Sequence, residues 1–137
     1  PTMRAIATSL TEQDIADLSA FYEQHGGKAA SAPPDGAAPA STEVAALLTK
    51  GACASCHGAN YSKPIDGSYP KLAGQHADYL YVALKAYKTD ANPQVGRNNA
   101  IMGGQVKQFT LAELKAMAEY LSSLPGEMRT VKEPYFR

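Results

Sequence analysis

The sequence predicts an all-α fold in which helices are joined by long loops. Apolar residues recur at helical spacing in four stretches of the chain. No stretch shows the alternation of apolar and polar residues that is typical of a half-buried strand. The segments between the predicted helices are rich in Gly, Pro, Ser or Asn, and long loops in a compact domain usually carry a function.

Composition narrows the class of protein. The chain of 137 residues is long enough for one domain with its own apolar core. Thirteen basic and thirteen acidic side chains give a formal net charge of zero, so no nucleic-acid partner is expected. Two cysteines are too few for a disulfide scaffold, and no stretch approaches the roughly 18 apolar residues of a membrane-spanning helix.

The first helix is predicted to begin after Thr11, which serves as its N-cap. Asp14 lies three residues later, at the capping-box position usually held by Glu or Gln. Apolar residues follow at helical spacing as far as Tyr22. We assign residues 1–25 to this helical segment, and residues 26–41, which are mostly Ala, Pro, Ser and Gly, to a linker.

Residues 42–125 are predicted to form the main domain, followed by a tail over 126–137. A helix near the start of this domain ends at Lys50, because Gly51 follows it. Residues 58–74 contain many Gly, Pro and Tyr residues and are predicted to be a loop.

Two more helices complete the predicted domain. One runs from about Ala77 to Lys88, and residues 89–108 after it are predicted to be a second loop. The last helix has the clearest start, since Thr110 and Glu113 form a capping box. It ends before Pro125.

The segment Cys53-Ala54-Ser55-Cys56-His57 has the spacing of a covalent haem attachment site. Two residues within one helical turn place the two thiols so that they can add to the two vinyl groups on one edge of haem. His57 then lies against the iron as the proximal ligand. A thioredoxin-like pair would require a βαβ context, and a zinc site would require a second Cys/His pair; the sequence favours neither.

A low-spin electron carrier needs a second axial ligand, usually Met or His. The candidates are Met3, Met102, Met117, Met128, His25 and His76. Met117 falls on the apolar stripe of the last helix and is expected in the core. Met102 lies in the predicted loop over 89–108, and the two glycines after it would let the backbone approach a flat ring. Met102 is therefore the predicted distal ligand.

Taken together, these features resemble a class I cytochrome c, and most closely one domain of the di-haem cytochromes c-four. The resemblance covers residues 42–125 and rests, in chain order, on Cys53–Gly58, Tyr69–Gln75, Tyr79–Leu80, Leu84, Tyr87, Arg97–Asn98, Met102 and Tyr120–Leu124. It implies a class I cytochrome c fold with three to four helices wrapped around one covalent haem c.

The resemblance also implies roles for individual residues. The carbonyl of Pro70 would accept a hydrogen bond from His57 Nδ1 and so orient the imidazole. The remaining implied haem contacts are Leu72, Leu80 and Leu84 for packing, and Arg97 and Asn98 for a propionate. Residues 90–96 depart from the shorter turn that the family pattern implies at this position.

Residues 3–22 repeat the end of the main domain at a shift of 99 residues. The aligned pairs include Met3 with Met102, Thr11 with Thr110, Asp14 with Glu113, Ile15 with Leu114 and Leu18 with Met117. We interpret residues 1–25 as the end of a preceding cytochrome domain whose haem-binding Cys and His lie outside this chain. The alternative is a mono-haem protein with an additional N-terminal helix, and the apolar face of that helix could also form a dimer.

Ligation of the iron by His57 and Met102 would leave no open coordination position, so the predicted function is electron transfer and not catalysis. Covalent haem matures where apoproteins are exported, which predicts the bacterial periplasm. Association with a membrane through a missing segment is an alternative. The expected partners are redox proteins of a respiratory chain: a quinol-oxidising complex, a terminal oxidase or a reductase. Two alternatives are the electron-entry domain of a larger oxidoreductase and a five-coordinate gas-binding or peroxidase-like domain.

Overall fold

The computed structural model describes residues 2–25, 39–89 and 96–127. The described residues form helices joined by turns and loops, and contain no strand. The helices are α1 (Thr2–Thr8), α2 (Glu12–His25), α3 (Thr42–Lys50), α4 (Ala54–His57), α5 (Ala77–Lys88), α6 (Ala100–Lys107) and α7 (Leu111–Ser123). Within this part of the chain, no helix has the length and apolar character needed to cross a membrane.

The predicted all-α class is confirmed, and α2, α3, α5 and α7 follow the predicted helices closely. Most of the predicted linker (26–38) and of the predicted tail (128–137) lies outside the described residues, as do residues 90–95. The prediction of a continuous loop over 89–108 is wrong, because α6 occupies Ala100–Lys107. Two adjacent glycines weaken the helical signal there, whereas the Asn99 side chain caps the helix by accepting from the Met102 N–H at 3.0 Å.

The chain divides into two compact units, Pro1–Ala30 and Ser31–Arg137. The first unit contains α1 and α2, and the predicted capping box between them is formed. The Asp14 carboxylate accepts from the Thr11 backbone N–H at 2.8 Å and from its hydroxyl at 2.6 Å, while Thr11 Oγ1 accepts from the Asp14 N–H at 3.1 Å. These hydrogen bonds stabilise the charged carboxylate and lower the pKa of Asp14.

The second unit has an apolar core to which α3, α5, α6 and α7 all contribute. Its buried residues are Leu47, Leu48, Tyr61, Ala73, Leu80, Val106, Phe109, Leu114, Met117, Ala118, Leu121 and Leu124. Helix α7 packs against α3 and α5, and α5 also packs against α6. Met117 is buried, which confirms its predicted place in the core.

The capping box predicted for α7 is also present. Glu113 accepts from the Thr110 backbone N–H at 2.6 Å and from its hydroxyl at 2.8 Å, and Thr110 Oγ1 accepts from the Glu113 N–H at 3.2 Å. Together these hydrogen bonds satisfy donors that the first helical turn would otherwise leave unpaired, and they lower the pKa of Glu113.

Candidate functional site

The two cysteines and the histidine of the attachment motif share one helical turn. Cys53 is the N-cap of α4, and its carbonyl accepts a hydrogen bond from the His57 N–H at 3.1 Å. Cys53 and Cys56 are free thiols and are partly buried. Burial raises the pKa of the Cys53 thiol, because removal from water disfavours the thiolate. The turn therefore places two cysteines that are not joined in a disulfide beside one imidazole.

A tight connection from α3 sets the position of this turn. The Cys53 N–H donates to the Leu48 carbonyl at 3.1 Å, and the Ala52 N–H donates to the Thr49 carbonyl at 3.0 Å. Ala52 adopts a left-handed backbone conformation with a φ of 46°, which is uncommon for a residue other than glycine. Since Leu48 belongs to the core, these bonds tie the first thiol directly to the packed part of the domain.

The imidazole of His57 is buried and oriented by one backbone group. Its Nδ1 atom lies 2.9 Å from the carbonyl oxygen of Pro70, and its ring makes an edge contact with the ring of Tyr69. Because a carbonyl oxygen can only accept, Nδ1 is the protonated nitrogen in this hydrogen bond. The other nitrogen, Nε2, then carries the lone pair that a metal ion can accept.

The loop that supplies Pro70 is held by the backbone of a buried tyrosine. The carbonyl of Tyr61 accepts from the N–H groups of Leu72 and Ala73 at 2.8 and 3.0 Å. Tyr61 is buried in the core and has a left-handed φ of 57°. These contacts fix the chain immediately after Pro70, so the orientation of His57 depends on the packing of the whole loop.

Met102 lies in the first turn of α6 and not in a loop, which corrects the local structure predicted for it. It is partly buried and packs against the core. The residue that sequence reasoning missed is Asn99, whose side chain holds the Met102 N–H. An Asn directly before a short apolar segment is a helix N-cap signal, so the sequence contained one indication of where α6 begins.

The side chains of the remaining predicted haem contacts differ in how far they are buried. Leu80 is buried, and Leu72 and Leu84 are partly buried against the core. Arg97 and Asn98, predicted to bind a propionate, are exposed.

Two tyrosines surround the guanidinium of Arg97. Its Nη2 donates to the Tyr79 hydroxyl at 3.0 Å, and its Cζ lies 5.5 Å from the ring centroids of both Tyr79 and Tyr87. Hydrogen bonds to the two hydroxyls raise the pKa of Arg97, so it stays cationic.

The donor set fits a covalently attached haem better than a bare metal ion. Among residues 2–25, 39–89 and 96–127, no three His, Cys, Asp or Glu side chains lie close enough to hold an ion. Two thiols and one oriented imidazole on a single turn instead offer two points of covalent attachment and one axial ligand. A thioether sulfur such as that of Met102 is a suitable second axial ligand.

Comparisons with known proteins point in the same direction. The sequence model of a family described as Cytochrome c matches residues 41–125. Cytochrome c4 from Azotobacter vinelandii is 28% identical over 131 residues, which cover 89% of this chain and 59% of that protein. Cytochrome c-553 from Nitratidesulfovibrio vulgaris is 40% identical over 72 residues, or 53% of this chain and 69% of that protein.

A third relative has a more specific name. A protein named Thiosulfate dehydrogenase electron acceptor, from Thiomonas intermedia, is 32% identical over 110 residues, which cover 80% of this chain and 42% of that protein. The chain therefore spans less than two thirds of the length of this relative and of the Azotobacter cytochrome c4.

Proposed function

Since the chain belongs to the cytochrome c family, we propose that its domain of residues 42–125 transfers single electrons through one covalently attached haem. The observation that carries the proposal is the turn Cys53–His57, in which two free thiols stand beside an imidazole whose Nδ1 is engaged by Pro70. This arrangement makes the lone pair of His57 Nε2 available to a metal ion and leaves both sulfurs available for thioether bonds.

Each part of the site has a separate task. When bound, the haem iron supplies the one-electron couple between its ferrous and ferric states. Cys53 and Cys56 would hold the haem covalently, while the Pro70 carbonyl keeps His57 in one tautomer and raises its basicity as a ligand. The Met102 sulfur would supply the second protein ligand of the iron, which would leave the metal without a site for a substrate. We therefore assign the role of an electron carrier and not of an enzyme.

The setting of this activity is also a proposal. Covalent haem attachment predicts the bacterial periplasm, and the partners would be a quinol-oxidising complex, a terminal oxidase or a reductase. The relative named as the electron acceptor of a thiosulfate dehydrogenase adds dehydrogenases to the candidate donors.

Intact mass and visible spectra test the assigned function. We expect the purified 137-residue chain to carry the mass of one haem that survives denaturation, and to titrate as a one-electron couple. The reduced protein is expected to show a low-spin spectrum and no spectral change under carbon monoxide. A high-spin spectrum with carbon monoxide binding would instead support the five-coordinate alternative.

We also propose that residues 1–25 are the end of a preceding cytochrome domain, and the helices support this assignment. Helices α1 and α2, moved forward by 99 residues, coincide with α6 and α7 to within one residue at each end. The capping box is repeated as well, with Thr11 and Asp14 in the first unit and Thr110 and Glu113 in the second. Similar sequence, helix bounds and capping all recur at the same shift.

The exposure of apolar residues indicates what the first unit lacks. Ile15 and Leu18 are 48% and 43% exposed, whereas their counterparts Leu114 and Met117 are 0% and 3% exposed. In the second unit, α7 is buried by α3 and α5. We therefore infer that the apolar face of α2 is completed by the equivalent helices of a preceding domain.

Counting haem groups in the natural protein tests this assignment. We expect two haems per chain, by intact mass and by haem absorbance relative to protein, when the protein is purified from its own source. A natural chain with a single haem contradicts the proposal. The alternative is that a second copy of the chain covers the apolar face of α2. Sedimentation of the 137-residue chain tests it, because a dimer that dissociates after Leu18→Ser would favour this alternative.

A further inference from the structure

The helix that contains Met102 is attached to α5 near both of its ends, and in each case the attachment is a cationic side chain. Helix α6 has only eight residues, with adjacent glycines at 103 and 104. Isolated helices shorter than about 12 residues are marginal in water, and glycine lowers helix stability further. The position of Met102 must therefore depend on what holds α6 in place.

The first attachment precedes α6 and uses Arg97. Its guanidinium lies over the rings of Tyr79 and Tyr87, which occupy one face of α5 eight residues apart, and donates to the Tyr79 hydroxyl. Its backbone N–H donates to the carbonyl of Ala86 at 3.1 Å. Arg97 thus fixes the chain against α5 immediately before the Asn99 cap.

The second attachment follows the last turn of α6 and uses Lys88, the final residue of α5. Its ammonium group donates to the backbone carbonyl of Lys107 at 2.8 Å and to that of Phe109 at 2.5 Å. A cation is favourable at a helix C-terminus, where carbonyls lack partners within the helix. Phe109 is buried, so the contact also ties α5 to the junction of α6 and α7.

We propose that Arg97 and Lys88 are positioning residues that keep the Met102 sulfur at the iron. This inference rests on the proposed ligation of the iron by His57 and Met102. Neither cation has to contact the metal: each limits the movement of α6 relative to α5. Loss of either attachment would allow α6 to move, and an added ligand would then compete better with Met102.

Imidazole binding to the oxidised haem protein tests the proposal, using Arg97→Gln and Lys88→Met. We expect both variants to bind imidazole about tenfold more tightly than the unmodified protein, equivalent to about 1.4 kcal/mol, with a weaker Met–iron charge-transfer band. Lys85→Met is the matched control, because Lys85 is an exposed lysine of the same helix that lies over Tyr81. It should bind imidazole like the unmodified protein.

Further outcomes separate this proposal from other roles. If Arg97 serves only a haem propionate, Arg97→Gln shifts the reduction potential while imidazole affinity stays unchanged, and the positioning role is wrong. Should Arg97→Gln fail to fold, Tyr79→Phe removes only the hydroxyl that accepts from Arg97 and is expected to have a smaller effect in the same direction. Absence of the Met–iron band from the unmodified protein would instead overturn the proposed ligation itself.

Discussion

Replacing Met102 by alanine is expected to convert the haem from low spin to high spin and to open it to carbon monoxide. The methyl group of alanine cannot coordinate iron, and α6 contains no histidine, cysteine or second methionine. Carbon monoxide binding to the reduced protein should rise from undetectable to stoichiometric. The reduction potential should fall, because methionine ligation favours the reduced iron. Visible spectra of both oxidation states, with and without carbon monoxide, measure these changes.

A second methionine provides the control for this experiment. Met117 is 3% exposed in the core, so Met117→Leu keeps the buried volume and should cost less than about 1.5 kcal/mol without changing the spectrum. If the Met102→Ala variant stays low spin and does not bind carbon monoxide, another residue is the sixth ligand. If the unmodified protein binds carbon monoxide equally well, the iron is already open and a sensor or enzyme function becomes the better interpretation.

Replacing Gly58 by alanine is expected to destabilise the domain by about 3 kcal/mol or more. Gly58 follows His57 directly and has a φ of +82°. A Cβ atom at this position would lie 1.9 Å from the Lys63 carbonyl oxygen, a backbone atom that cannot move aside alone. Denaturant unfolding of the haem protein measures the loss, and the yield of protein with attached haem should fall with it.

Gly67 is the matched control, because it lies in the same loop and a Cβ there would meet no atom within 4 Å. We expect Gly67→Ala to change the free energy of unfolding by less than about 1 kcal/mol. Equal stability of the Gly58 and Gly67 variants would contradict the tight approach of Gly58 to Lys63. The comparison also tests whether the loop after His57 is as closely packed as the structure shows.

The helices that could be predicted from the sequence are those whose capping residues and apolar periodicity lie within the helix itself. Helix α7 has a regular apolar stripe and a capping box, so its start after Thr110 followed from periodicity and capping together. Helix α6 was missed because it has one buried residue, Val106, and two glycines in eight positions. Part of its stability comes from contacts such as those of the Lys88 ammonium group with the backbone carbonyls of Lys107 and Phe109. Contacts to backbone carbonyls leave no apolar periodicity in the segment.

In the candidate haem site, too, the contiguous residues could be predicted from the sequence and the contacts between distant residues could not. The attachment motif is contiguous, so residue types and spacing were sufficient to predict it. The acceptor for His57 Nδ1 is a backbone carbonyl 13 residues away, and a carbonyl has no signal in the sequence; Pro70 could be named only through the family resemblance. The tyrosine partners of Arg97 depend on where the chain returns after a loop, which requires the folded arrangement.

The carbonyl of Ala86 accepts two backbone hydrogen bonds, and these determine where the length of this domain can change. It accepts both from the Thr89 N–H at 3.3 Å and from the Arg97 N–H at 3.1 Å, so the intervening chain leaves and returns at one point. The entropic cost of closing such a loop rises by only about 0.6 kcal/mol for each doubling of its length. Insertions and deletions between Thr89 and Arg97 should therefore change the free energy of folding only slightly. They should also leave the position of α6 unchanged. Related chains can therefore differ in length between Thr89 and Arg97 while Arg97 keeps its hydrogen bond to the carbonyl of Ala86.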